Sequence, residues 1–201
     1  MGLDLDDPTR VDPDFVDVLA SHDALTWERS DETIYVIRAD LRIAYVNPSW
    51  RRFALGNGGS ERMLARFGVG ARLIDAIHGP LRDYYEGAYR ECLREGQVWA
   101  HDYECSTAEK RRFYHQTAFP LGGRGLLVVN SLREERPFDE PDHVADRARY
   151  LTPEGLIVQC GHCRRVKTLD DQWHRVSAWV ERQPGNTSHG LCPHCLAYYW
   201  R

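Results

Sequence analysis

Two Cys-x-x-Cys pairs stand near the C-terminal end of the sequence, Cys160–Cys163 and Cys192–Cys195, with residues 164–191 between them. Each pair can place two thiolates within reach of one metal ion, and two such pairs complete the tetrahedral four-sulfur shell that structural zinc sites use. Closing that shell requires only one long loop. The spacing therefore predicts a zinc site, or an iron site of the same shell, ligated by Cys160, Cys163, Cys192 and Cys195.

Two other chemistries compete for the same cysteines. A disulfide framework is disfavoured because no secretory signal opens the sequence and the cytosol keeps thiols reduced. A thiol–disulfide oxidoreductase needs a thioredoxin-like sheet around its cysteines, and the residues after Cys163 or Cys195 are too few to build one. A redox-sensitive zinc site, which loses its metal on oxidation, stays open.

The composition is that of an ordinary globular chain. Of its 201 residues, 42% are hydrophobic and 28% are charged, which gives room for one domain and a small module. The formal net charge of −4 argues against a broad nucleic-acid footprint. No apolar run has the length of a membrane span, so we expect a cytoplasmic protein. Acids concentrate in the first 29 residues, which carry eight against two bases.

The pattern of the first 135 residues predicts an α+β fold. An amphipathic helix with a proline in its first turn comes first, with Phe15, Val16 and Leu19 on its apolar face. We expect that face to pack on the chain's own sheet or on the same helix of a second copy. β-Branched and aromatic runs then predict strands, and Gly96 ends a long helix. Five antiparallel strands with helices on one face are expected. The predicted strands are 33–37, 43–46, 98–106, 112–119 and 125–132, and the predicted helices are 49–55 and 81–95.

These elements, in this order, resemble the PAS sensor-domain family over residues 30–135. The resemblance depends on the strand-to-helix sequence Ile43–Pro48, the segment Gly70–Ile77, the helix at 81–95 and the late strands that end in Gly125–Val129. It implies an apolar cavity between sheet and helices that holds haem, flavin, a small acid or nothing. Residues 155–201 resemble a Cys-rich, zinc-ribbon-like module found at the end of bacterial signalling proteins.

Four segments follow from this interpretation. Residues 1–29 form an acidic leader with an N-terminal amphipathic helix, 30–135 the PAS-like domain, 136–154 a polar, Pro-punctuated connector, and 155–201 the four-cysteine module. Within that module, Asp170 and Asp171 predict the start of a helix that runs to about Arg182.

Several aromatic and histidine side chains could line the cavity that the resemblance implies. Trp99, His101 and Tyr103 share one face of their strand by alternation. Haem would need an axial ligand such as a histidine, although plain packing explains each histidine as well. No flavin is expected, because the segment after Phe53 lacks the family's Cys-bearing flavin motif. His189 is the best candidate to hydrogen-bond a metal-bound sulfur. The full pocket set is Trp99, His101, Tyr103, His115, Tyr85, Tyr89 and His78.

No catalytic motif stands out, and a closed four-cysteine site leaves zinc no open position. We therefore expect a non-catalytic sensor or adaptor that binds a small ligand or a partner signalling protein, as a homodimer, without membrane or nucleic acid. Three alternatives remain. One is a zinc-dependent thiol redox switch. Another is a zinc-ribbon transcriptional regulator that binds nucleic acid near Arg164, Arg165 and Lys167. The third is an enzyme of an unrecognised type.

Overall fold

The structure, a computed structural model, describes residues 7–200 and divides into two compact units. The first unit combines the chain up to residue 77 with 85–101 and 115–131. The second combines 78–84 and 102–114 with the chain from residue 132 onward. Each unit is therefore built from separated segments, and the long helix and three strands each contribute to both. The start of the predicted acidic leader, residues 1–6, lies outside the described residues.

A five-stranded antiparallel sheet of order β2-β1-β5-β4-β3 is the main feature of the fold. Tyr35 on β1 pairs with Val46 on β2 and with Val128 on β5, so β1 is a central strand. The predicted α+β class and five strands are confirmed, although β5 runs five residues beyond its predicted end at Leu132. The strands are β1 (Thr33–Arg38), β2 (Ile43–Val46), β3 (Trp99–Glu104), β4 (Lys110–Pro120) and β5 (Gly125–Pro137).

The helices of this part begin and end at recognisable caps. Asn47 caps α3 through Trp50, and Ser60 caps α4 through Met63. The single N-terminal helix of the prediction is instead two short helices, because Asp23 starts a new helix by accepting from the backbone N–H of Thr26. The helices are α1 (Val16–Ala20), α2 (Ala24–Arg29), α3 (Pro48–Gly56), α4 (Glu61–Phe67) and α5 (Pro80–Glu95).

The N-terminal segment covers one face of the sheet. Phe15 and Leu19 are buried in a cluster with Ile34 and Val36 of β1. The alternate residue Tyr35 points to the other face, where its hydroxyl lies 3.3 Å from that of Tyr89 on α5. Of the two placements that the sequence left open, the N-terminal segment therefore packs on its own sheet.

A second, four-stranded sheet of order β8-β7-β6-β9 organises the cysteine-rich part of the second unit. Its β6–β9 pair is parallel and places Cys160 opposite Gly190. The apolar core beside it contains Tyr150, Ile157 and Trp179. The elements are α6 (Arg147–Tyr150), β6 (Ile157–Cys160), β7 (Val166–Lys167), β8 (Trp173–His174), α7 (Ser177–Glu181), β9 (Thr187–Gly190) and α8 (Pro193–Tyr199).

The helix predicted from 170 to about 182 is wrong over its first half. Lys167 pairs with Trp173 across a β7–β8 hairpin, and Asp171 occupies the turn with a φ of 64°. Thr168 closes the turn by accepting at Oγ1 from the backbone N–H of Gln172. The two aspartates therefore belong to a turn, and only Ser177–Glu181 is helical.

Residues 138–146, which we call the strap, are held in the second unit by side-chain contacts. The Arg175 guanidinium lies 4.1 Å from the centre of the Phe138 ring. Asp142 accepts from the backbone N–H of Ser177, and the His143 ring stacks on His174 at 4.0 Å. This part of the predicted connector is thus tied to the cysteine-rich module. No helix among residues 7–200 has both the length and the apolar character that a bilayer span requires.

Candidate metal centre and aromatic cluster

The four cysteines of the two pairs converge on one point. Their Sγ atoms all lie within 4.8 Å of one another, and all four side chains are buried. A regular tetrahedron with metal–sulfur bonds of about 2.3 Å places its sulfurs about 3.8 Å apart. The Sγ atoms of Cys163 and Cys192 are 3.8 Å apart. The geometry of the site therefore fits a four-coordinate metal ion.

The first pair is positioned by the turn between β6 and β7. The backbone N–H of Cys160 donates to the carbonyl of Arg165, and Arg164 takes a positive φ of 63° to close the turn. Gly161 donates to the carbonyl of Gly190 at 2.9 Å, which fixes this turn to β9. The sulfurs of Cys160 and Cys163 thus face the same side of the turn.

The second pair is positioned by the start of α8. Cys192 is the N-cap residue, and its sulfur accepts from the backbone N–H of Cys195 at 3.5 Å. The backbone N–H of Cys192 points in turn at the sulfur of Cys160, 3.4 Å away. Such N–H···S hydrogen bonds stabilise thiolate charge, as a metal-binding shell requires.

The four thiols of the shell influence one another's charge unequally. Hydrogen bonds from Cys163, Cys192 and Cys195 lower the pKa of the Cys160 thiol, whereas Cys160 and Cys163 raise the pKa of Cys192 and of Cys195. Burial opposes the charge of Arg165, but the Cys163 sulfur and then Glu140 raise its pKa. Because a divalent ion with four thiolates carries a net charge of −2, Arg165 is a counter-ion for the site.

The chemistry of this donor set fits a metal ion in a structural role. Four thiolates suit zinc, and they leave no open coordination position for a substrate or a water molecule. The shell would hold together β6, β9 and the start of α8. The four cysteines that converge are the four that the sequence predicted as ligands.

Two histidines near the shell have different partners. His162 accepts at Nε2 from the backbone N–H of Glu104 at 3.4 Å, so its Nδ1 carries the proton towards the Tyr199 hydroxyl, 2.6 Å away. His189, the residue predicted to bond a sulfur, lies 2.8 Å from the Gln183 amide nitrogen and stacks on His78. The sulfur contact of His189 remains a prediction.

Four of the predicted pocket residues form an aromatic cluster in the first unit. Trp99 and His101 of β3 stack with ring centres 5.7 Å apart. Tyr85 and Tyr89 of α5 meet the Trp99 ring edge-on at 6.0 and 5.6 Å. Trp99 and His101, which were predicted to share one face of their strand, therefore both pack against α5.

A buried polar network continues this cluster. The Tyr89 hydroxyl donates to Gln116 Oε1 at 2.8 Å, and Gln116 Nε2 donates to Asn130 Oδ1 at 2.8 Å. Asn130 donates onward to the backbone carbonyl of Thr33. Burial raises the pKa of Tyr35, which joins the network, to about 12. Donors and acceptors therefore converge inside the first unit.

The other three predicted pocket residues have the following places in the fold. Tyr103 stacks on Tyr114 in the second unit. His78 stacks on His189 in the same unit, and His115 is half-buried on β4.

The basic residues of the nucleic-acid alternative are largely neutralised. Arg165 makes two hydrogen bonds to the carboxylate of Glu140, at 2.8 and 2.9 Å. Lys167 pairs with Asp171 at 2.6 Å. A free basic patch is therefore not formed by these two side chains.

Comparisons with known proteins found similar folds among solved structures. A domain of an HTR-like protein from Haloarcula marismortui is 18% identical, with a TM-score of 0.38, over 52% of this chain and all of that one. A PAS domain from a two-component sensor histidine kinase is 12% identical, with a TM-score of 0.36, over 54% and 90%. The PAS domain of nitrogen regulation protein NR(II) from Vibrio parahaemolyticus is 17% identical, with a TM-score of 0.32, over 55% and 93%. No family model and no curated protein matches the chain. At these scores the likeness does not identify a function.

The sequence alone did not identify the polar residues of the buried network or the ion pair beside the four cysteines. Gln116 and Asn130 are buried at inward positions of predicted strands, where the alternation calls for apolar residues. That break in the pattern was a usable signal for the network. Glu140 and Arg165 carry no such signal, because their pairing depends on where the strap lies.

Proposed function

We propose that this chain is a non-catalytic sensor or adaptor in which the four cysteines hold a structural zinc ion and the first unit receives a small ligand or a partner protein. The observation that carries the zinc assignment is the convergence of four buried sulfurs within 4.8 Å. A closed shell of this kind stabilises a fold and has no open position for turnover.

The aromatic cluster and its polar network support the sensing part of the proposal. Ligand sites combine apolar and aromatic walls with a few convergent polar groups. Trp99 and Tyr85 would supply such walls, while Tyr89, Gln116 and Asn130 would supply donors and acceptors. A ligand here would replace hydrogen bonds that the network now makes within itself.

Metal analysis of the purified chain tests the zinc part. We expect one zinc per chain, and a tetrathiolate-type absorption spectrum after cobalt replaces zinc. Cys160→Ser should abolish stoichiometric binding, whereas Cys105→Ser, a thiol outside the cluster, should keep it. A metal-free chain with four reactive thiols would contradict the assignment.

A ligand screen followed by NMR tests the sensing part. The side-chain amides of Gln116 and Asn130 report directly on the network. A sensed ligand should shift both amides, and Gln116→Leu should weaken its binding. Ligands that bind the chain without shifting either amide would place the receiving site elsewhere.

A second function, a zinc-dependent redox switch, is favoured by the slight exposure of one of the four cysteine residues. Cys163 is 8% exposed and lines an open cleft, whereas Cys160 is 0% exposed. Hydrogen peroxide and two protons would convert two thiolates into one disulfide and two waters, and the zinc would leave. Zinc release is measured with a chromogenic chelator. If peroxide at a level that oxidises free cysteine releases no zinc, this second function is excluded.

A further inference from the structure

The second unit contains a cleft that neither the metal site nor the aromatic cluster explains. Its volume is about 220 Å³, below the range of about 300–1,000 Å³ of drug-sized ligand sites, so only a very small molecule would fit. The side chains of Tyr103, Phe113 and Tyr198 form aromatic walls, and Glu104 and Arg111 supply charged groups. One end of the cleft reaches the turn that carries Cys163. A ligand in the cleft would therefore lie beside the metal shell.

The walls of the cleft are held in place by other contacts. Tyr103 stacks on Tyr114, with ring centres 5.6 Å apart. The Tyr198 hydroxyl donates to the backbone carbonyl of Asp102 at 2.9 Å. The Arg111 guanidinium lies 5.4 Å from the centre of the Phe113 ring. Such fixed groups are pre-organised, so a ligand would order few side chains on binding.

Glu104 and Arg111 face each other without forming a hydrogen bond. Each therefore keeps polar atoms that a ligand could use. Glu104 Oε1 accepts from the Ser106 hydroxyl at 2.7 Å, but Oε2 lies 3.6 Å from Arg111 Nη2, beyond hydrogen-bond distance. Arg111 Nη1 is 3.4 Å from Asp139, and Nε is buried without a hydrogen-bond partner among residues 7–200. The pair therefore presents one acceptor and one donor side by side.

The charges around the cleft favour an uncharged ligand. Glu104 stands against Arg111, and Arg165 is occupied by two hydrogen bonds to Glu140. An anionic ligand would meet the Glu104 carboxylate and the thiolates, and a cationic one would meet two guanidinium groups. A neutral ligand with an adjacent donor and acceptor leaves this balance intact.

We propose that the cleft binds a small, flat, uncharged heterocycle with a cyclic-amide edge, of the nucleobase type. The ring N–H would donate to Glu104 Oε2, and the neighbouring carbonyl would accept from Arg111. The ring itself would pack against the Phe113 and Tyr198 walls, as bases stack on aromatic side chains. This site is separate from the network of the first unit and does not depend on what that network senses.

Calorimetry with hypoxanthine on the full, metal-loaded chain tests the proposal. Hypoxanthine offers an N–H next to a carbonyl, and 1-methylhypoxanthine has the same ring without that donor. We expect hypoxanthine to bind, the methylated ring to bind at least tenfold more weakly, and benzoate and benzylamine to bind more weakly still. No hypoxanthine binding at millimolar concentration, or equal binding of the methylated ring, would overturn the proposal.

Two variants locate the binding in the cleft. Glu104→Gln should weaken hypoxanthine at least tenfold, because it removes the charged acceptor, and Phe113→Leu should weaken it by removing a stacking face. Glu109→Gln, an exposed carboxyl on the β3–β4 turn, is the matched control and should bind like the wild type. Metal content and thermal unfolding confirm that each variant is folded. Hypoxanthine binding that is unchanged in a folded Glu104→Gln chain would place it elsewhere and refute the assignment.

Discussion

The two units of the molecule are stabilised by different physics. The first buries a continuous apolar cluster, in which Leu19, Val36 and Tyr45 are fully enclosed. The second has a small apolar core around Tyr150 and Trp179, and beside it a separate cluster formed mainly by cysteines. Hydrophobic burial scales with the apolar area removed from water, whereas a four-sulfur shell requires its metal ion. The first unit can therefore order itself by burial, whereas we expect the second to depend on a bound ion.

Loss of one metal ligand should produce the largest difference in hydrogen-exchange protection between the two units. Cys192→Ser removes a ligand but leaves a hydroxyl that can still cap α8, so we expect the four-stranded sheet to lose its protection from hydrogen exchange through loss of the metal, while β1 and β2 keep theirs. Structural zinc contributes about 10–16 kcal/mol of binding free energy in small zinc modules. Hydrogen exchange followed by mass spectrometry measures both regions in one sample.

Cys105→Ser is the control for that experiment, because Cys105 lies outside the four-sulfur cluster. It should leave both exchange patterns as in the wild type. If the Cys192→Ser chain retained full protection in residues 157–190, the second unit would not depend on a metal. The proposed difference between the two units would then be wrong.

Shortening a buried side chain of the first unit should have the opposite effect: it should weaken that unit and not the second. Leu19 is 0% exposed beneath the sheet, so Leu19→Ala should lower the free energy of unfolding of the first unit by about 2–5 kcal/mol. Metal affinity should not change. Leu25→Ala, at a side chain 50% exposed, should cost less than about 0.5 kcal/mol. Urea unfolding with a competition assay for zinc gives both quantities. A fall in zinc affinity in Leu19→Ala would show that the units are energetically coupled.

The sequence predicts the first unit better than the second, and the reason is physical. The β1–β2 hairpin and α5 are specified by local periodicity, and their predicted bounds agree with the structure within two residues. The cysteine spacing likewise predicts the four metal ligands. In the second unit, the β6–β9 pairing is parallel and joins Ile157 to Thr187, a contact that no local pattern encodes.

The failed helix at Asp170 and Asp171 has the same origin. Both residues are good helix-start residues, and the apolar spacing of Val176 and Trp179 agreed with a helix. The β7–β8 hairpin and the apolar core override that local preference, because Val176 and Trp179 become buried beside Tyr150. Local propensity is a weak prior where tertiary contacts decide.

Alkaline pH should act on the first unit through Tyr35. Burial raises the pKa of this phenol from 10.0 to about 12, so the folded state keeps the proton while the unfolded state releases it. The stability that Tyr35 contributes is present below pH 10 and is lost as the pH rises to about 12, by about 3 kcal/mol. Unfolding by urea at a series of pH values measures the slope. Tyr35→Phe should show a shallower slope than the wild type, and Tyr103→Phe, in the second unit, should not.

The smallest effect that we expect is a change in metal affinity when the contact between the strap and the metal centre is weakened. Arg165 is the counter-ion beside Cys163, and Glu140 holds it with two hydrogen bonds. Glu140→Gln keeps the shape of the side chain but removes its charge, so Arg165 loses the partner that orients it. Changes at such outer partners of metal ligands typically cost about 10–100-fold in metal affinity, and we expect about tenfold here.

Zinc competition against a chromophoric chelator measures this change. Glu135→Gln is the matched control, because Glu135 pairs with Lys110 and not with a residue of the metal turn. Since coupling free energies are reciprocal, zinc should in turn protect residues 138–146 from hydrogen exchange more strongly in the wild type than in Glu140→Gln. Equal zinc affinity in the two chains would mean that Arg165 is oriented by the shell alone. The strap would then only pack against the second unit, and metal occupancy would not reach it.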